Sequence, residues 1–186
     1  MLVSGHNQMP LDRNAQLPPA SLPRQLVDPF IGTAPCDLPP PAGLAASWFW
    51  PKPQIGNTHP GSCLPFGMLS ACPYTGGYPT GYGRYGKSLQ GLPQPLFDEL
   101  RISGFTHFQP SGVGAIRKYY NYCRVTPLTE AMGGLPAIGT TWPIDHESAS
   151  PGYYTCRIPA GGIIAELTVG RRAAVHRYTF PASPLA

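Results

Sequence analysis

The sequence has few charged residues, and this scarcity sets it apart from most free-standing soluble domains. Asp, Glu, Lys and Arg make up 12% of the 186 residues, and the formal net charge is +4. A typical soluble domain has about 25% charged residues, so this composition predicts that a partner domain covers part of the surface. The nearest thing to a basic patch is Arg171-Arg172, which we interpret as a hairpin loop, and the charge pattern does not favour nucleic-acid binding.

Long apolar runs and an export signal are also missing. No stretch approaches the roughly twenty apolar residues of a transmembrane helix, so no membrane partner is predicted. Residues 1–24 lack the basic start and apolar run of a signal peptide. We interpret them as a disordered tail ahead of one domain at residues 25–186, and the sequence leaves the localisation unknown.

Cysteine is scarce, and its spacing matches no known framework. The count is odd, no pair has Cys-x-x-Cys spacing, and a disulfide scaffold is not expected, although one or two bridges stay open for an exported protein. His59, Cys63 and Cys72 do not have zinc-ligand spacing. Buried free thiols are the favoured interpretation. The five cysteines are Cys36, Cys63, Cys72, Cys123 and Cys156.

Glycine, proline and aromatic residues are abundant, a combination typical of short strands joined by tight turns. Glycine and proline together make about a quarter of the chain, and aromatics make 11%. The clearest pattern lies between residues 152 and 180, where apolar and polar residues alternate with a period of two in 163–169 and 174–180. Three strands with two short connections predict an antiparallel meander.

Earlier strands are interrupted, and two long loops separate them. The fold class expected is therefore all-β, an antiparallel β-sandwich with long Gly/Pro-rich loops at 34–53 and 75–95. Because six residues follow Phe180, we expect the sandwich to be incomplete at its C-terminal edge, with an unpaired last strand. The candidate early strands are residues 27–31, 64–73, 100–108 and 119–126.

Four blocks, read in order, resemble the N-terminal domain of glycoside hydrolase family 92. Any one block is a weak signal, but their order and spacing agree across residues 27–181. The blocks are Val27-Asp-Pro-Phe-Ile-Gly-Thr33; Gly56-Asn-Thr-His-Pro-Gly-Ser-Cys-Leu-Pro-Phe-Gly-Met68; Ile102-Ser-Gly-Phe-Thr-His107 with Ser111-Gly112; and His146-Glu-Ser-Ala-Ser-Pro-Gly-Tyr-Tyr154 with His176-Arg-Tyr-Thr-Phe-Pro181.

This resemblance implies a galactose-mutarotase-like supersandwich and a part in an exo-acting, calcium-dependent α-mannosidase that hydrolyses glycans with inversion. In the family, the catalytic carboxylates and the calcium ligands lie in a helical C-terminal domain, which is missing here. The resemblance thus implies no catalytic residue and no metal ligand in this chain, which would be inactive alone. The implied partners are mannose-containing glycans and the helical domain; relatives are often exported.

Five residues are the candidates for sugar binding or for the interdomain interface. His107 and Ser111 lie on a glycine-punctuated loop after a strand. Asn57 and His59 lie in the Gly56–Gly67 loop, where a purely structural turn is an equal alternative. Tyr82 could replace an aromatic platform that relatives supply as tryptophan, since no tryptophan stands between Trp50 and Trp142; tyrosines covering a domain interface are the equal alternative.

Three further features qualify this interpretation. The family commonly has a second histidine and a later acidic residue where this chain has Phe108-Gln-Pro and Ala115-Ile-Arg117, which indicates a divergent branch. Glu147 follows His146, and neighbours in an extended chain face opposite ways, so we expect turn stabilisation there and not acid/base chemistry. Glu166 is expected to be exposed or paired with an arginine.

Two hypotheses from other classes stay open at this point. A stand-alone, lectin-like β-sandwich would bind mannose without another domain. A structural assembly domain would dimerise through its exposed last strand.

Overall fold

In a computed structural model of the protein, the described residues form ten short strands in three antiparallel sheets. The structure describes residues 23–33, 58–65, 67–74, 82, 99–107 and 123–182. The strands are β1 (Ser62–Cys63), β2 (Ser70–Tyr74), β3 (Arg101–Ile102), β4 (Gly104–Thr106), β5 (Arg124–Val125), β6 (Trp142–Pro143), β7 (Asp145–Ser150), β8 (Tyr153–Ile158), β9 (Ile163–Val169) and β10 (Ala174–Thr179).

Two four-stranded sheets form the body of the fold. The first sheet has the order β1-β2-β4-β5, and the second has the order β10-β9-β8-β7, while β3 and β6 form a separate two-stranded ladder. The described helical segments are short 3-10 turns at Pro23–Leu26, Glu130–Met132 and Pro159–Gly161. The expectation of an all-β, antiparallel β-sandwich is confirmed.

The core lies between the two main sheets. Strand β9 buries every second residue, as its alternation predicts, and β8 does the same from Tyr154 onward. Phe105 of β4 contributes from the opposite sheet and is fully buried. The buried cluster comprises Ala71, Ile102, Phe105, Trp142, Ile144, Tyr154, Cys156, Ile158, Ile163, Ala165, Leu167 and Val169.

The C-terminal meander was predicted correctly, but the earlier strands differ from expectation. The stretch 27–31 is a turn and not a strand, because the Asp28 carboxylate accepts the backbone N–H of Phe30 and the Asp28 carbonyl accepts that of Ile31. The stretch 64–73 becomes a strand only from Ser70. The stretch 100–108 splits at Ser103 into β3 and β4, which pair with different partners.

Of the remaining expectations, some lie partly outside the described residues. Residues 1–22 of the predicted tail and 119–122 of the last early strand are among these, as is Cys36. The four described cysteines are free; Cys72 and Cys156 are buried as expected, whereas Cys63 and Cys123 are exposed. No helix in the described ranges is long and apolar enough to cross a membrane.

Candidate functional site

The inner face of the second sheet carries polar side chains where an apolar layer would be usual. The strand register places Cys156, Ala165 and Tyr178 in one row across β8, β9 and β10. The next row contains Ala149, Tyr154, Leu167 and His176. Polar groups in such a core need hydrogen-bond partners. The polar side chains form two clusters, one at each side of the sheet.

A β-bulge in β7 creates the first cluster. Asp145 pairs with Arg157 and Ser148 with Thr155, so His146 and Glu147 both lie opposite the single residue Cys156. His146 adopts a positive φ of 47°, as the first residue of such a bulge can. Glu147 points to the same inner face as Ala149, and the extra residue lets Asp145 point outward, where it pairs with Arg157.

Two tyrosine hydroxyls hold the Glu147 carboxylate. Tyr82 donates to both carboxylate oxygens at 3.0 Å, and Tyr154 donates to Oε1 at 2.5 Å. Burial raises the pKa of Glu147 above its ordinary value, and the hydrogen bonds from the two tyrosines oppose that shift. Burial and the nearby carboxylate also raise the pKa values of both tyrosines, so both remain hydrogen-bond donors at neutral pH.

The second cluster is a stacked pair of histidines that joins the two sheets. The rings of His107, which follows β4, and His176 of β10 lie 4.3 Å apart with an interplanar angle of 5°. The Tyr178 hydroxyl lies 2.8 Å from Nδ1 of His176, and Phe105 meets the His176 ring edge-on. Burial, and then repulsion from His107, lower the pKa of His176 to about 4.

Two ring nitrogens of this pair have no hydrogen-bond partner. Nδ1 of His107 and Nε2 of His176 are both buried and unpaired. Neutral rings tolerate this arrangement better than charged ones, because an unpaired buried charge is far more costly than an unpaired neutral dipole. The lowered pKa of His176 agrees with this arrangement.

The four sequence blocks converge around these clusters. The Thr58 hydroxyl donates to the Ile31 carbonyl at 2.8 Å, joining the first block to the second. The Ser62 hydroxyl donates to the Gly152 carbonyl at 2.6 Å, joining the second to the fourth. The Ser70 N–H donates to the His107 carbonyl at 3.1 Å. Residues far apart in sequence thus form one connected region.

The five residues singled out from the sequence have different surroundings. His59 is buried, and its Nδ1 accepts the backbone N–H of Gly61 at 3.2 Å. Tyr82 is 6% exposed and belongs to the Glu147 cluster. His107 belongs to the histidine pair. Asn57 and Ser111 lie outside the described residues, and the assignment of all five to sugar or interface stays a prediction.

Sequence reasoning missed the inward position of Glu147. His146 and Glu147 were expected to stabilise a turn, and a bulge leaves little local signal, since His146 is neither glycine nor asparagine. His176 and Tyr178 could have been found, because the predicted alternation of β10 already placed them on one side. Glu166 pairs with Arg177 as expected, through two hydrogen bonds of 2.6 and 2.5 Å.

The described acidic residues are otherwise occupied or exposed. Asp145 pairs with Arg157 and Glu166 with Arg177 on the outer face of the second sheet. Within the ranges that the structure describes, no three His, Cys, Asp or Glu side chains are grouped so that they could hold a metal ion.

Comparisons with known proteins agree with the blocks. The family model described as "Glycosyl hydrolase family 92 N-terminal domain" matches residues 26–186. An uncharacterised secreted glycosidase from Arthroderma benhamiae is 27% identical over 132 residues, which cover 68% of this chain and 16% of that protein.

A solved structure gives the same result. The family 92 α-mannosidase from Bacteroides thetaiotaomicron in complex with mannoimidazole has a TM-score of 0.51 and 25% identity, over 86% of this chain and 18% of that one. The chain therefore spans about a sixth of the length of these relatives. With a family match over nearly its whole length, this chain belongs to glycosyl hydrolase family 92 and corresponds to its N-terminal domain.

Proposed function

We propose that this chain forms one wall of the sugar pocket, and the interdomain interface, of an exo-acting α-mannosidase. The observation that carries the proposal is the family match over residues 26–186, together with the 25% identity to an α-mannosidase bound to mannoimidazole. The substrate class that follows is α-mannosides of glycans.

Bond cleavage is proposed to lie outside this chain. Inverting hydrolysis needs a carboxylic acid at the leaving oxygen and a carboxylate base that activates water on the opposite face. Among the described residues, Glu147 is the inward carboxyl, but two tyrosines occupy it. Asp145 and Glu166 point away from it and pair with arginines. The acid and the base are therefore assigned to the catalytic domain.

Calcium dependence is part of the same proposal, and the ion is also assigned to the catalytic domain. Calcium takes six to eight oxygen ligands at about 2.3–2.6 Å. The described residues do not fit such an ion, because they offer no group of three candidate side chains.

The sugar-pocket wall or the interdomain interface is assigned to Asn57, His59, Tyr82, His107 and Ser111. Two of these are held rigidly: the stack on His176 orients the His107 ring, and the Glu147 carboxylate fixes the Tyr82 hydroxyl. Fixed side chains lose little entropy when a ligand binds. This rigidity supports a positioning function for the domain.

The test uses the full polypeptide encoded by the reading frame that contains this chain. Hydrolysis of a 4-nitrophenyl α-mannoside is expected, with loss of activity on chelation and recovery on adding calcium. Proton NMR of the first product should show the inverted anomer. The 186-residue chain alone should show no turnover. An inactive full polypeptide, a retained anomer or turnover by this chain alone would each contradict the corresponding part of the proposal.

A lectin-like module is the second candidate, favoured by one observation. The two main sheets share a buried core within this chain, as a stand-alone binding domain would need. This alternative predicts measurable heat when the 186-residue chain is titrated with mannose. The absence of heat at millimolar sugar would exclude it.

A further inference from the structure

The segment between residues 133 and 139 exposes two large aliphatic side chains almost completely. Leu135 is 94% exposed and Ile138 is 97% exposed, more than any other described large hydrophobic side chain. Scattered surface leucines are ordinary, but two on one short loop form a local apolar tip. We call residues 133–139 the apolar tip.

The apolar tip projects away from the body of the domain. A Cβ atom built on Gly133, Gly134 or Gly139 would meet no atom within 4 Å. Gly133 and Gly134 both have positive φ, 87° and 83°, which turns the chain sharply outward after the 3-10 turn Glu130–Met132. A hydrogen bond from the Thr140 N–H to the Ala137 carbonyl closes the far side at 3.1 Å.

The base of the tip is fixed to the domain on both sides. Before the tip, Met132 packs against the core. After the tip, Arg101 donates to the Thr141 carbonyl at 2.7 Å and to its hydroxyl at 3.1 Å. Trp142 then pairs with Ile102 in the β3–β6 ladder. A projecting apolar element on a firm base loses little entropy on binding, as an interface anchor requires.

The apolar tip and the residues that flank it contain no charged side chain. Between Glu130 and Asp145 the sequence has no Asp, Glu, Lys or Arg. Interface cores are depleted in charged residues and contain buried apolar anchors, whereas solvated loops are normally polar. A basic residue that would attract an anionic membrane surface is also missing from this stretch. These features favour a protein partner with an uncharged, apolar pocket.

We propose that the apolar tip inserts Leu135 and Ile138 into an apolar pocket of the catalytic part of the family 92 enzyme. This inference rests on the proposed function and specifies its interdomain interface. The matched part of this chain covers only 16% and 18% of the length of the relatives, so they contain a large additional protein surface. The scarcity of charge over the whole chain agrees with an extensively covered domain.

Hydrogen exchange of residues 133–139 tests this proposal. The exchange is measured in the isolated 186-residue chain and in the full polypeptide assayed above. We expect the tip amides to exchange at least about 10-fold more slowly in the full polypeptide, because burial of the tip suppresses local opening.

Matched variants identify the side chains responsible. The double variant Leu135→Ser/Ile138→Ser should lose that protection in the full polypeptide. The control Ile164→Ser/Val175→Ser changes two exposed aliphatic residues on the outer face of the second sheet, and the tip should stay protected.

The outcomes separate the two proposals. An active mannosidase whose tip exchanges as fast as in the isolated chain overturns the inference and leaves the proposed function intact. If lipid vesicles slow hydrogen exchange of the apolar tip in the isolated chain, the inference is overturned in favour of a membrane. If a higher concentration of the isolated chain slows it, the inference is overturned in favour of a second copy. A full polypeptide without mannosidase activity contradicts the proposed function, and without tip protection it overturns the inference as well.

Discussion

The two main sheets are built in different ways. The second sheet takes its four strands from one continuous stretch, residues 145–179, with three short connections and registers of six paired residues at β9–β10 and β8–β9. The first sheet collects strands of two to five residues from positions 62–125, and its longest register has three pairs. Local backbone ladders hold the second sheet, whereas the first depends on close approach and side-chain contacts to the second.

The largest expected effect comes from a glycine-to-alanine substitution beside the first sheet, compared with the same substitution beside the second sheet. A Cβ at Gly61, opposite Cys72 in the first sheet, would lie 2.5 Å from the Cys72 Cβ and 2.6 Å from the Ala71 carbonyl oxygen. Backbone must move, so Gly61→Ala should lower the free energy of unfolding by about 3 kcal/mol. Gly170→Ala, in the β9–β10 connection, meets its nearest atom at 3.7 Å. Gly170→Ala should change the free energy of unfolding by no more than about 0.5 kcal/mol in urea titrations. If both variants lost the same stability, the contrast between the sheets would be contradicted.

An intermediate loss of stability is expected when a buried hydrogen bond of the second sheet is removed, compared with an exposed one. Tyr82→Phe leaves the inward Glu147 carboxylate with one tyrosine donor in place of two. This change should lower the free energy of unfolding by about 2 kcal/mol, because a buried carboxylate loses one of its two tyrosine donors. Tyr153→Phe removes a similar 2.6 Å bond to Glu166 on the outer face, where water replaces it, and should cost less than about 0.5 kcal/mol. Chemical denaturation of both variants measures the difference, and the reverse order would contradict the assignment.

The smallest effect concerns the histidine pair that joins the sheets. The pKa of His176 is lowered to about 4 in the folded protein against an ordinary value of 6.5. Between about pH 6.5 and pH 4, His176 therefore binds a proton in the unfolded chain but not in the folded protein. The free energy of unfolding falls as the pH drops through this range. Because the ring is only half-buried, we expect a loss of about 1 kcal/mol.

A non-titrating variant isolates this contribution. His176→Gln should lose less stability than the wild type between pH 7 and pH 4.5 in paired urea titrations. The pKa of Glu166 is lowered to about 2, and its stabilising contribution disappears only below about pH 4.5, which keeps the two windows largely apart. Identical pH profiles for wild type and variant would show that His176 does not titrate in this way.

The same contrast explains how much the sequence could predict. The period-two alternation of 163–169 and 174–180 was sufficient to place the meander, because each residue's side follows from its neighbours. The register β2–β4 and the placement of Thr58 on Ile31 depend on residues tens of positions apart. Local propensity carries no such information, and the blocks were visible only as a resemblance.

In the candidate site, too, the sequence identified single residues but not the contacts between distant ones. His107 and Tyr82 were identified as polar or aromatic residues on glycine-rich segments, but their partners were not. Glu147 was expected to stabilise a turn, whereas it lies in β7 beside the bulge. The resemblance located the region, while the bulge and the ring stack required three-dimensional coordinates.

The bulge in β7 also has a consequence for solubility. Strand β7 is one border of the second sheet, and a straight border invites a strand from another molecule to extend the sheet indefinitely. The interrupted register at His146 breaks the even spacing that such growth requires. Among the described strands, the bulge that lies beside the inward carboxylate therefore also makes this border a poor template for polymerisation.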